Sequence, residues 1–128
     1  MSTPPNAAPE AASLLHANLE RVFGERDADR RLAAIQALYA EDAVLFEPQA
    51  AASGHAAINQ AVEALLASLP ANFAFTALGP ALAHHGAGRL RWSSGPAGGP
   101  AAVTGTDVAR FAGGRIQTLH VFLDPAGA

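Results

Sequence analysis

At 128 residues the chain has room for one domain of ordinary size and one hydrophobic core. Half of it is hydrophobic and 15% is charged, which excludes a disordered body, although 32 residues are Ala and large apolar side chains are correspondingly scarce. A net charge of −3, with no Lys and no Cys, argues against a nucleic-acid surface, a disulfide framework, a thiolate zinc site and a thiol nucleophile.

Residues 1–9 contain Pro4, Pro5, Asn6 and Pro9 among small residues and read as a flexible tail, leaving residues 10–128 as a single domain. Over residues 10–24, Leu14, Leu15, Leu19, Val22 and Phe23 recur at helical spacing, and Gly24 is a natural stop. Asp27 or Asp29 can cap a second helix whose Leu32, Ile35, Leu38 and Tyr39 share a face. Residues 43–46 are a short apolar strand closed by Glu47 and Pro48. After Ser53 and Gly54 a third helix carries Ile58, Val62, Leu65, Leu66 and Leu69, and Pro70 ends it. Phe73 and Phe75 alternate, and residues 86–94, 101–111 and 115–123 are strand candidates joined by Gly-rich connections of hairpin length, which suit antiparallel neighbours. Helices segregated from a largely antiparallel sheet make an α+β domain.

No apolar run approaches the roughly 20 residues of a bilayer span, and the N-terminus lacks the pattern of a signal peptide. A cytoplasmic protein without a membrane partner is expected. His84 and His85 are adjacent and are expected to point to opposite sides of a strand, while His16, His55 and His120 lie far apart, so no metal-ligand spacing exists. Phosphate-loop, dinucleotide and nucleophile-elbow motifs are absent as well, and no metal or cofactor is expected.

Two carboxylates in apolar contexts remain. Glu47 ends an apolar strand, and Asp107 lies inside VTGTDVARF, in the middle of one. Alternation puts Gly105, Asp107, Ala109 and Phe111 on one face. If that face is concave, desolvation raises the pKa of Asp107 and the neutral acid can donate a hydrogen bond to a ligand oxygen. If it is convex, Asp107 is solvated or paired with Arg89 or Arg91 across the sheet.

The segments YAEDAVLFEP, SGHAAI, RLRW, GTDVARF and GGRIQTLHVFLD, in this order, resemble the nuclear transport factor 2-like superfamily, particularly its SnoaL-like and ketosteroid-isomerase-like members. The resemblance covers residues 10–124. It implies a cone of three N-terminal helices packed on a strongly curved sheet, an apolar pocket open at one end, a small apolar ligand and a homodimer. It places Glu47, before Pro48, at the position of the isomerases' proton-shuttling acid. Asp107 falls on their neutral oxyanion donor, a standard case of a carboxylic acid kept protonated at pH 7. The isomerases' second oxyanion donor, a Tyr of the first helix, falls on Phe23, and loss of such a donor lowers rates by about 10²–10³. Phe23, Tyr39, Val62, Trp92, Ala109, Leu119, Val121 and Leu123 are expected to line the pocket. The activity implied is that of a steroid isomerase-like or polyketide cyclase-like enzyme acting beside a carbonyl. The alternative is a non-catalytic ligand-binding or dimerisation domain on the same fold.

Overall fold

The structure, a computed structural model, describes residues 8–125. Residues 1–7 of the expected tail lie outside the described residues, and Ala8 and Pro9 already belong to the first helix, α1 (Ala8–Asn18). A π-helical turn, Leu19–Phe23, continues it. Then follow α2 (Ala28–Leu38), β1 (Tyr39–Glu47), β2 (Ala50–Ser53), α3 (His55–Ala67), β3 (Phe73–Ala77), β4 (Leu82–His84), β5 (Ala87–Pro96), β6 (Val103–Ala112) and β7 (Arg115–Leu123).

Local chemistry accounts for the helix boundaries. The carboxylate of Asp27 accepts from the Arg30 backbone N–H at 2.9 Å and caps α2, satisfying one of the orphan donors of its first turn. The N–H of Gly24 closes the π turn on Leu19 O at 2.9 Å, and a Cβ there would sit 2.6 Å from Glu20 O, so a side chain at this stop would force the turn apart. Arg31 is fully buried. Its guanidinium donates to Asn59 Oδ1 at 2.6 Å, to Glu25 O at 2.7 Å and to Glu63, tying α2 to α3 and leaving no unpaired buried charge.

The sheet runs β2-β1-β7-β6-β5-β3, with β4 paired to β5. Among the described residues every strand pairing is antiparallel except β1 with β7, which is parallel. β1 starts at Tyr39, earlier than the apolar run suggests, and β2 adds a hairpin strand to it. Both lay hidden because Tyr39–Asp42 continues the helical pattern of α2 into two acids, and Ala50–Ser53 has almost no side chain to alternate. His84 and His85 do not straddle a strand: β4 ends at His84, and His85 (φ 50°) and Gly86 (φ 77°) form the turn into β5, the positive-φ pair that a two-residue hairpin requires. Their rings meet at 5.2 Å.

Register lays the inner face out in rows. Leu45, Leu119, Ala109 and Gly88 form one row, register partners in turn across four strands. Two residues further along stand Val121, Asp107 and Leu90, with Glu47 two residues beyond Leu45 on β1. The next row holds Leu123, Gly105, Trp92 and Ala77, and the one after it Val103, Ser94 and Phe75. Leu15, Leu19, Val22 and Phe23 from the first helical segment, Ile35 and Leu38 from α2, and Ile58, Val62 and Leu66 from α3 pack onto this face as the core.

Candidate functional site

A cavity of about 330 Å³ opens where the helices stand off the upper rows of the sheet, a volume suited to a small organic ligand. Leu19 and Phe23 of the π turn wall it on one side, Leu65 and Leu69 after them on another, and Phe73 and Phe75 of β3 on a third. Phe23 meets Phe75 edge to face at 6.1 Å, and Phe75 meets Trp92 likewise at 5.7 Å, an arrangement aromatic quadrupoles favour. Pro48, Ala102, Val103 and Leu123 also line the cavity and are exposed, so they mark its mouth.

Glu47 and Asp107 both line this cavity. Asp107 pairs with Val121 on β7, and Glu47 follows directly on Phe46, the partner of His120; the same register carried one residue further sets Val121 between the two acids, with their Cα atoms about 10 Å apart. Side chains in such a row project to the same side of the sheet, so both carboxyl groups flank the space above Val121. Glu47 is half-buried, and loss of water raises its pKa above the usual carboxylate range.

Asp107 is 2% exposed. Its Oδ1 accepts from Trp92 Nε1 at 2.9 Å, and burial, opposed only by that hydrogen bond, pushes its pKa up to about 7. The pairing with Arg89 or Arg91 does not occur. Those side chains point to the other face of β5, where Arg91 reaches Asp124 at 3.5 Å. Gly105 makes the Trp92 contact possible. A Cβ at residue 105 would lie 2.5 Å from Trp92 Cζ2, so the indole lies flat over a residue that has no side chain and thereby reaches Asp107.

Of the other residues expected at the pocket, Phe23, Trp92, Val121 and Leu123 stand in the cavity lining. Tyr39, Val62, Ala109 and Leu119 are instead fully buried in the core, because the helices close tightly over the lower rows. Tyr39 is the first residue of β1 rather than a helix-face residue with a wet hydroxyl. Its O–H donates to Asn18 Oδ1 at 2.5 Å, and burial, with the nearby charge of Asp107, raises its pKa well above 10. Asn18 is itself 0% exposed and its Nδ2 has no partner. The imidazoles serve structure. His16 Nε2 accepts from the Ala81 N–H at 2.9 Å, and His55 Nε2 lies 3.0 Å from the carbonyls of Tyr39 and Ala40. Among the described residues no cluster of three potential metal ligands occurs.

Sequence reasoning passed over Asn18 and Ser94. Ser94 had a signal, since alternation from Leu90 and Trp92 places it on the inner face, whereas Asn18 had none beyond its place on a helix.

A model of the SnoaL-like domain matches residues 19–119. Among solved structures, an isomerase candidate of the SnoaL-like family from Agrobacterium tumefaciens superposes with a TM-score of 0.83 at 24% identity, over 91% of this chain and 99% of that one. A SnoaL-like polyketide cyclase candidate from Jannaschia sp. CCS1 gives 0.76 at 11% identity, over 97% and 91%. A ketosteroid isomerase candidate from Kribbella flavida gives 0.71 at 16%, over 94% and 82%. At such identities the likeness is one of fold, and the fold shared is the α+β arrangement of three helices on a large curved sheet. No functionally curated protein matches the chain.

Proposed function

We propose that this chain, which belongs to the SnoaL-like family, is an acid–base catalyst that moves a proton beside the carbonyl of a small apolar compound. The observation that carries the reading is the shared row of Glu47 and Asp107 in one apolar cavity, with Asp107 the more deeply desolvated of the two. Two carboxyl groups whose surroundings separate their acidities can divide the roles of base and acid.

Glu47, the less buried of the two, acts in its ionised form and takes the proton from the carbon next to the carbonyl. The electron pair of that C–H bond moves toward the carbonyl oxygen as an enolate forms. Asp107 in its protonated form donates a hydrogen bond to this oxygen. Since Oδ1 already accepts from Trp92, the proton sits on Oδ2. Where the carbonyl compound carries a β,γ double bond, the enolate is a dienolate, and return of the proton from Glu47 to its γ carbon moves the double bond and completes an isomerisation. Attack of the enolate carbon on a second carbonyl, whose oxygen takes the proton back from Glu47, completes a cyclisation.

Phe23 in the cavity wall offers no hydrogen-bond donor, and the Trp92 N–H is committed to Asp107. That single observation favours a second reading, a domain that binds an apolar ligand without turning it over. As an enzyme, the chain is expected to run about 10²–10³ below one with two oxyanion donors.

Incorporation of deuterium from D₂O into 2-tetralone, followed by NMR across pH, tests the proposal. The expected profile rises as Glu47 ionises and falls near pH 7 as Asp107 loses its proton. A rate that climbs through pH 7 would make Asp107 the base and overturn the assignment. No exchange above buffer at any pH supports the binding domain.

A further inference from the structure

The inner face of β5 carries one polar side chain that the proton transfer does not use. Ser94 is 2% exposed and lines the cavity, yet its Oγ has no hydrogen-bond partner. Its neighbours across the row are Phe75 on β3 and Val103 on β6, and neither can bond a hydroxyl. The nearest polar side chain on the same face of its strand, Trp92, has given its N–H to Asp107. A buried hydroxyl without a partner destabilises the free protein, and in a cavity wall the group that can satisfy it is a ligand atom.

Its position defines what that ligand looks like. Asp107 stands opposite Leu90, and Ser94 lies four residues further along the same strand. At about 3.3 Å per residue the two are on the order of 13 Å apart along the sheet. The wall between them is Trp92 and Phe75, with Val121 and Leu123 beside it, an apolar surface that suits a flat apolar body.

We propose that Ser94 is a specificity residue that hydrogen-bonds a second oxygen of the ligand, at the opposite end of an apolar body from the carbonyl at Asp107. The proposal rests on the reading of Asp107 as the carbonyl-binding acid. The ligand class is then an elongated apolar compound, about three fused rings long, with two oxygens on the order of 8–10 Å apart once side chains and hydrogen bonds take up the remaining distance. Small ketones with one oxygen fit the cavity but leave Ser94 unsatisfied.

Two fluorescent probes that differ by one hydroxyl test this, 2-hydroxyanthracene and 2,6-dihydroxyanthracene, titrated into wild type and Ser94→Ala. Wild type is expected to bind the dihydroxy compound about tenfold more tightly, the effect of one neutral hydrogen bond. Ser94→Ala is expected to level the two. A preference that survives the substitution overturns the role of Ser94 and leaves the proposed function standing. Failure of both probes to bind wild type overturns the ligand class and this inference, while deuterium exchange into the smaller 2-tetralone judges the proposed function separately. Thermal melting without ligand supplies an independent readout. Because the substitution removes an unsatisfied hydroxyl, Ser94→Ala is expected to melt no lower than wild type, and a lower melting point would give the hydroxyl a structural partner and overturn the proposal.

Discussion

The two faces of the strands β1, β7 and β6 are one residue apart in sequence and opposite in character. On the inner face, Glu47 and Asp107 line one mainly apolar cavity with Val121. On the outer face, Phe46 stacks on His120 at 4.5 Å and 16°, and His120 stacks on Phe122 at 6.2 Å and 18°, with Phe122 55% exposed. Aspartates on the two faces meet different company. Asp124 accepts from the Thr104 hydroxyl at 2.5 Å and from Arg91 at 3.5 Å, whereas Asp107 has an indole N–H and no cation. The side chain is the same, and only the face decides whether it meets a cation and a hydroxyl or an indole in an apolar wall.

The contrast can be broken at several points, in falling order of effect. Glu47→Gln removes the base and is expected to lower deuterium exchange by about 10²–10⁴, read by NMR at pH 6. Asp107→Asn keeps an acceptor for Trp92 but removes the titration. The folded protein holds the Asp107 proton up to about pH 7, whereas the unfolded chain releases it near its ordinary value of about 3.9. Stability is therefore full below about pH 4, falls as pH rises to 7, and stays low above it, by about 4 kcal/mol if the whole shift is felt. The substitution is accordingly expected to raise the melting temperature at pH 8 and to change it little at pH 4. Equal effects at the two pH values would sink the desolvation argument.

Leu119→Ala, beneath the site, is expected to destabilise by about 2–5 kcal/mol in urea unfolding. Gly105→Ala forces the indole off the sheet and is expected to cost about 1–3 kcal/mol, with a shift in Trp92 fluorescence as its signature. Phe122→Ala, on the wet face, is expected to change stability by no more than about 0.5 kcal/mol. A larger loss together with a smaller sedimentation coefficient would show that a second copy covers that face.

Much of this was legible in the chain. Alternation around Asp107 identified the residues that share its face of β6, and the helical stripes identified the core faces of α1, α2 and α3. The cap of α2 was narrowed by chemistry to Asp27 or Asp29, and the structure chooses Asp27. What the pattern could not carry was anything set by the third dimension. Leu19 and Phe23 look like ordinary core positions, and the π turn that places both in the cavity wall leaves no mark in hydrophobic periodicity. Tyr39 reads as the end of a helical stripe because the chain changes period at that residue. For Asp107 the sequence left a desolvated acid and a pair with Arg89 or Arg91 both open, since counting across strands offers charges and gives no weight to a Trp lying across a glycine. Ser94 was visible by its parity but silent, because a strand serine is unremarkable until its neighbours are known to be Phe75 and Val103.

The parallel pairing of β1 with β7 has a consequence in time. Glu47 and Asp107 are both already made when the strand that stands between them, with Val121 at its centre, is still to be synthesised. Until β7 enters, β1 and β6 have no common neighbour and the two acids belong to separate pieces of chain. Such a first-to-last pairing closes a long loop, which slows folding relative to a chain of hairpins alone. The emerging polypeptide thus carries the two acids on separate pieces of chain, and one late event of docking brings them to a single cavity.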